Sequence, residues 1–516
     1  MKSMKLTVLL IMICSLLIAC TNSNTNGETP GSGNSPSEET PANDPAVIDD
    51  GTETLDIRIM TPAWGGGGME DDHPVLLKLE EELNINLDIE WAPAPEYREK
   101  TSVLAASNNF PDVYVIDFND FLKYRDQGIF LDVKPLLDQY PNLQQNSSEE
   151  YLQIGNPADH YYGLTWYVHP TRDSIVIRQD WLDHLGLQMP DTIDEFYEVA
   201  KAFALQDPNQ SGQNDTVGFS FSVDPNTATF QAIPYIEGAF GLANGWKDID
   251  GELVPKQVQT EELKAFIGFL RKAYEEGVLD KDFAVLKRNE LAEKFRSNKL
   301  GIGAARPEVA DTTFIKPLTD LVPEATITQM VPPAGPNGDR ASETFSPADR
   351  KVVINAKIDE KKQHRILRLL DYMVSEEGAD MLKHGIEDIH YTKVSDDVYE
   401  KLPAYDEERP QLFGEWFFKP EGVGFWKWDS EELVEKANSW YEVNAAYEWQ
   451  NEGLGLISET NNRAGAEINT VFMQTMIEII VGRQPLDAVE QAVATWKSNG
   501  GDQIIQEMNE AYAELK

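Results

Sequence analysis

Between residues 55 and 116 the apolar spacing switches repeatedly between the strand and the helix period, and this alternation constrains the fold more than any other feature. LDIRIM (55–60) alternates and stops at a Thr-Pro turn, the pattern of a half-buried strand. From Pro74 the apolar positions Leu76, Leu79 and Leu83 keep helical spacing, and Ile85, Leu87, Ile89 and Trp91 then alternate. A helix over 97–106 leads into the short apolar run Val113-Tyr114-Val115-Ile116, which suits a strand buried on both faces. Strand, helix, strand, helix, strand predicts an α/β fold with a parallel sheet. Ligands of such sheets sit beyond the carboxyl ends of the strands, which nominates the loops 61–68, 92–96 and 117–120.

Further units repeat the theme. A strand is expected at Ser174 to Arg178, followed by two helices, the second capped by Asp191 or Thr192 with acids in its first turn. Helices through Leu263, Phe266, Leu270 and Tyr274 and through Leu291 and Phe295 precede a strand at Leu300 to Ala304. About 460 residues follow the N-terminal tether, more than one core usually serves, so two α/β lobes are expected. A helical tail should begin after about residue 360.

Lys2 and Lys5 precede a nearly apolar stretch, residues 6 to 19, in the layout of a secretory signal peptide. That stretch is too short to span a bilayer, which takes roughly 20 apolar residues. Leu17-Ile18-Ala19-Cys20 resembles the bacterial lipobox, in which cleavage before Cys20 leaves a thiol that carries diacylglycerol. An ordinary signal peptide with an incidental cysteine is the alternative. Residues 21 to 53 are rich in Ser, Thr, Asn, Gly, Pro and acids, with too little apolar surface to offset ordering, and read as a flexible tether from Cys20. Of the two cysteines, Cys14 would leave with the signal and Cys20 would be modified, so the body has no disulfide and packing must hold it.

With 88 acidic against 44 basic residues, the chain carries a formal charge of −44, which excludes nucleic acid or an anionic lipid surface as the main partner. Neither a G-x-S-x-G elbow, an H-E-x-x-H helix nor a P-loop is present. GIGAAR (301–306) is not a dinucleotide fingerprint, because Arg306 stands where the third glycine belongs. An exported glycoside hydrolase would need two carboxylates across a cleft, and among so many acids no pair stands out.

YGLTW (162–166), IRQDWLDHLGL (177–187), PDTIDEFYE (190–198), DPNQSGQND (207–215), FGLANGW (240–246), GIEDIHYT (385–392) and the tail from Ile479 to Tyr512 resemble, in this order, the extracellular solute-binding proteins of ABC importers. The likeness is to their sugar-binding family 1, in its long lipoprotein branch, and runs from about residue 55 to the C-terminus. The resemblance implies a two-lobed, type II-like clamp of two α/β lobes, each a mostly parallel sheet flanked by helices, closing on an oligosaccharide and handing it to an ABC permease. Each lobe would be discontinuous: 54–165 plus about 346–400, and about 166–345 plus 401–516. It also implies a non-enzymatic, monomeric protein anchored by lipid on the outer face of a Gram-positive bacterial membrane, with no cofactor required. A glycoside hydrolase or a sensory lipoprotein for a non-sugar ligand remains the alternative.

A sugar offers an apolar face of C–H bonds and a rim of hydroxyls, so its site needs flat aromatics and planar polar side chains. Trp64, beside the glycines of TPAWGGGG, and Trp166, after the YGL turn, are candidate platforms; both could instead be core. Asp117, ending the third strand, is the candidate hydroxyl acceptor and Arg306 the candidate fork-shaped donor, with a surface salt bridge as its alternative. Trp416 and Trp426, in GEWFFKPEGVGFWKWD, are further ligand candidates. Trp181 and Trp246 fall inside recurring motifs and read as framework, as do His169, Tyr391, Trp440 and Trp449. Asp207, Asn209, Ser211, the Gln213 carbonyl and Asp215 occupy alternating positions of an EF-hand-like calcium loop with Gly212 at its turn, although no acid closes the shell at Thr216 or Gly218. An Asx-rich turn without a metal is the alternative.

Overall fold

The computed structural model describes residues 48–64, 67–94 and 96–515. The signal segment 1–19, Cys20 and the tether up to residue 47 lie outside the described residues. Eight strands form the two principal sheets: β1 (Leu55–Ala63), β2 (Ile85–Pro93), β3 (Val113–Asp117), β4 (Leu164–Trp166), β5 (Ser174–Arg178), β6 (Ile302–Ala305), β7 (Ile327–Gln329) and β8 (Arg350–Ile354).

The expected switch at residue 84 is built by one asparagine. The helix Pro74–Leu83 starts with proline in its first turn, buries Val75, Leu76, Leu79 and Leu83, and stops at Asn84, whose left-handed φ of 50° lets β2 begin at once. The helix Tyr97–Ser107 ends the same way at Asn108. Its first residue fastens it to the sheet, the Tyr97 hydroxyl lying 3.0 and 2.7 Å from the carbonyls of Met60 in β1 and Val115 in β3.

The first sheet has the order β2-β1-β3-β8-β4. β1 runs parallel to β2 and β3, as expected, but β8 is antiparallel to both β3 and β4. In the second sheet β5 lies between β6 and β7, antiparallel to each. The mostly parallel sheets expected of each lobe are therefore a mixed sheet and an antiparallel one. The repeat of strand and helix sets direction only while the chain stays on one sheet. β8 re-enters the first sheet from the second core and so arrives from its opposite end.

Two large hydrophobic cores result. The first gathers β1 to β4, β8 and the segment 366–418; the second gathers the helices Ile193–Leu205 and Thr260–Glu275 with the C-terminal helices Glu459–Ile480, Ala488–Trp496 and Asp502–Leu515. A smaller cluster on the other face of β5 includes Val176, Phe295, Phe314 and Trp440. The chain passes between the cores through 167–173, 330–349 and 419–429. The first two crossings run side by side, Val168 donating to the Pro347 carbonyl and Phe345 to that of Pro170.

Two expected boundaries move. Leu412, Phe413, Trp416, Phe417 and Phe418 still pack in the first core, so the third crossing follows Phe418 rather than residue 400. The tether does not extend to residue 53 either. Asp49 is fully buried and grips Arg365 in a two-pronged ion pair of 2.6 and 2.7 Å. The guanidinium also donates to the carbonyls of Leu83, Asn84 and Glu53, so the polar composition of residues 48–53 conceals a clasp.

Candidate functional site

The carboxyl ends of β1 and β3 meet the amino end of β8 and the end of β4 along one edge of the first sheet, and four nominated residues come together there. In the β8 register Arg350 stands directly between Asp117 on β3 and Trp166 on β4. Its Nε is 3.0 Å from Asp117 Oδ1, and its guanidinium lies 5.2 Å from the Trp64 ring centre and 5.1 Å from that of Trp166. Trp64 in turn lies 5.8 Å from both Trp166 and Trp416, tilted to the first and edge-on to the second.

The short helix Leu412–Trp416 is held onto this edge by its last carbonyl. The Trp416 oxygen accepts hydrogen bonds from the Thr61 hydroxyl at 2.6 Å and the Trp166 indole at 3.1 Å. Trp166 and Trp416 are thereby almost buried, at 9% and 8% exposure, whereas Trp64 is half-buried and presents the more open ring. Burial raises the Asp117 carboxyl above its ordinary value, with the Arg350 guanidinium working against that rise. The edge thus offers an indole surface, a fork-shaped donor and an acceptor within one sugar ring's reach, the combination that hydroxyl recognition requires.

Two members of this edge escape a reading of the sequence alone. Arg350 opens a short apolar run in the manner of any surface charge, and only the antiparallel insertion of β8 aims it here. Trp91, at the end of β2, sets its ring edge-on to Trp416 at 6.0 Å and to Phe413 at 6.2 Å. The glycine loop is shaped around it: a β-carbon at Gly68 would lie 1.9 Å from the Trp91 ring, so the backbone rests on the indole where no other residue fits.

Arg306 and Trp426 do not join the tryptophan edge. Arg306 follows β6 in the second sheet, with Nε 3.8 Å from Glu308. The Trp426 indole donates to the Tyr405 hydroxyl at 2.7 Å, and Lys383 lies 4.0 Å over its ring. Trp181 is 1% exposed in the second core, and Trp246 packs against the same core. His169 rests on Tyr441, and Tyr391 stacks on Tyr399.

The loop 207–215 closes on itself. Asp207 accepts from the Ser211 and Gly212 amides, both at 3.0 Å, and the Asp215 carboxylate accepts from Ser211 Oγ at 3.0 Å and from Asn209 at 3.1 Å. The Asn209 bond comes first among the contacts that hold the Asp215 carboxyl below its ordinary value. Two carboxylates, an amide oxygen, a hydroxyl and the Gln213 carbonyl form a donor set that fits a hard divalent cation. An acid at position 218 is sterically excluded, because a β-carbon there would lie 2.3 Å from the Ala200 carbonyl oxygen.

A family model described as bacterial extracellular solute-binding protein matches residues 71–380. Among curated relatives, lipoprotein LipO of Bacillus subtilis is 26% identical over 489 residues, covering 89% of this chain and 93% of the relative. The polygalacturonan/rhamnogalacturonan-binding protein YtcQ of the same organism is 26% identical over 465 residues, covering 85% and 88%. Among solved structures, a human-milk-oligosaccharide-binding, ABC-transporter-associated solute-binding protein of Bifidobacterium longum infantis superposes with a TM-score of 0.71 at 18% identity, covering 89% of this chain and 98% of that one. An EF-hand mutant of the Streptococcus pneumoniae substrate-binding protein FusA, in complex with fructo-nystose, gives 0.69 at 18%, covering 89% and 99%. These structural likenesses establish a shared two-lobed fold.

Proposed function

The chain belongs to the bacterial extracellular solute-binding proteins, and from that premise we propose that it captures an oligosaccharide outside the cell and passes it intact to an ABC permease. The observation that carries this reading is the edge where Trp64, Trp166 and Trp416 surround the Asp117–Arg350 pair. The glycan ligands of YtcQ, a polygalacturonan/rhamnogalacturonan-binding protein, and of FusA, a fructooligosaccharide-binding one, support the ligand class. Residues 54–165 and 350–418 form one lobe and 174–329 with 431–515 the other, closing on the ligand about the three crossings. A ligand touching both lobes favours the closed state by its differential affinity.

The protein acts as a monomer, held to the outer face of a Gram-positive membrane by lipid on Cys20, with calcium in the loop 207–215. A FusA variant described by its EF-hand supports the calcium assignment. Calorimetric titration of a chain beginning at residue 21 against neutral and uronic oligosaccharides tests the function, each mixture being checked for cleavage. Binding of an intact sugar, weakened at least about tenfold by Trp64→Ala, is the expected result. Cleavage products would replace this reading with a hydrolase, and no binding to any glycan would remove the sugar.

A further inference from the structure

A pair of histidines joins the two walls of the tryptophan edge. His73 caps the helix Pro74–Leu83, its Nδ1 accepting from the Val75 amide at 3.2 Å, and closes the stretch 67–73 that leads from Trp64. His390 Nδ1 accepts from the Ile386 amide at 2.8 Å, and its Nε2 lies 2.9 Å from Glu408 Oε2. The two rings are parallel, 5.8 Å apart, and 7% and 0% exposed. A ring nitrogen of each and a carboxylate oxygen of Glu408 lie within 4.8 Å of one another.

From Glu408 the chain leads directly to Trp416. Arg409 ends the helix Pro403–Glu408 with a left-handed φ of 54°, and its carbonyl accepts from the Leu412 amide where the helix Leu412–Trp416 opens. The Arg409 guanidinium lies 5.8 Å from the Trp416 ring centre. His73 therefore stands on the wall that carries Trp64 and His390 on the wall that carries Trp416, a second tie beside the one made by the Trp416 carbonyl.

The hydrogen bonds fix where each ring holds its proton. An Nδ1 that accepts an amide proton carries none of its own, so both neutral rings are protonated at Nε2, and His390 donates to Glu408. Neither ring keeps a lone pair for a metal, so the trio is not a cation site. A second proton would have to enter at Nδ1, against a backbone N–H, and would set two like charges on neighbouring rings. Burial first, and then His390, hold His73 below its ordinary value, against the Glu408 carbonyl and the carboxylates of Glu408 and Asp72. Glu408 and His73 face His390.

We infer that His73 and His390 are positioning residues for the tryptophan edge and serve it only as neutral imidazoles, so that the protein holds its sugar in neutral medium and releases it on acidification. The inference rests on the oligosaccharide reading above. Because the form with both walls tied excludes the extra protons, ligand binding opposes protonation, and affinity falls as the pH drops below the ordinary histidine value of about 6.5.

The test has two arms, each run on the protein, on His73→Ala and on the His73→Asn/His390→Asn double variant. An asparagine side-chain oxygen can take the amide that Nδ1 takes, does not titrate, and is a preferred helix cap. In the first arm, deuterium exchange of peptides covering 73–77 and 385–391 is followed by mass spectrometry at pH 7.5 and 5.0 without ligand. After correction for intrinsic rates, acid should lower protection at least about fivefold in the native protein, the worth of one helix cap, and about twofold or less in the double variant. In the second arm, fructo-nystose and a galacturonic acid trimer are titrated calorimetrically at both pH values. The glycan that binds should bind at least about fivefold more weakly at pH 5.0, a ratio of about twofold or less in the double variant, and His73→Ala should weaken it at both pH values. An acid loss of the same size in the double variant assigns the effect to Asp117 and overturns the inference, as does unchanged protection in the native protein. Binding of neither glycan at either pH overturns the oligosaccharide reading, and the exchange arm then decides the histidine tie by itself.

Discussion

Replacing Lys351 by methionine should stabilise the protein at neutral pH and do so less as the pH rises. Lys351 lies in β8, paired to Ile116 and Thr165, and is 0% exposed. Its ammonium donates to the Tyr151 carbonyl at 3.2 Å, and Glu421, in the third crossing, is the acid that acts on it. Burial dominates and brings the ammonium down from an ordinary 10.5 to about 7, Glu421 opposing the fall. Below pH 7 both the folded and the unfolded chain carry the proton, so the folded state bears the full cost of a buried cation. Between about 7 and 10.5 the unfolded chain binds one proton more than the folded one, and stability rises with pH. At roughly 1.36 kcal/mol per pH unit the whole effect is at most about 5 kcal/mol. Methionine keeps the length and loses the bond to Tyr151, which takes back about 1–2 kcal/mol. Urea denaturation of both proteins, followed by tryptophan fluorescence, should therefore show Lys351→Met more stable by up to about 3–4 kcal/mol at pH 6, with the gap closing by pH 10. A variant that is less stable at pH 6, or a gap that does not change with pH, would refute the reasoning and show that Glu421 holds Lys351 as a stabilised cation.

Two further outcomes are expected. Asp49→Ala should cost about 3 kcal/mol, because it leaves the buried Arg365 charge without its counter-ion, and a chain beginning at residue 54 should lose at least as much. Thermal melts of both would show this, and unchanged midpoints would return residues 48–53 to the tether. Calcium at about 10 mM, a hundredfold excess over a dissociation constant of about 10⁻⁴ M, should stabilise the second core by about 2.7 kcal/mol, and Asp215→Asn should abolish the gain. Identical melts in calcium and chelator would leave the loop an Asx-rich turn.

The elements readable in the sequence are those whose determinants are local. The helix Pro74–Leu83 declares itself by proline, apolar spacing and a terminal asparagine. Thr192 and Glu195 cap the helix Ile193–Leu205 reciprocally, within four residues of one another. Trp64 and Asp117 could be nominated because the carboxyl ends of parallel strands follow from element order alone. The lobe boundaries were harder: the run from Leu412 to Phe418 has the same apolar composition whichever core receives it.

What stayed hidden depends on partners far apart in the chain. Asp49 and Arg365 are separated by 316 residues, and an aspartate in a stretch of Pro, Asp and Gly gives no local sign of burial. Arg350 is the more instructive case. Its guanidinium lies within 5.2 Å of both Trp64 and Trp166 because β8 enters antiparallel, so the first residue of that strand meets the last residues of β3 and β4. Had β8 entered parallel, the same sequence would place Ile354, not Arg350, beside Asp117, and the edge would lose its donor. The site is thus a product of strand direction as much as of residue type. Strand direction here was set by the passage of the chain through the second core, which no local pattern near Arg350 records.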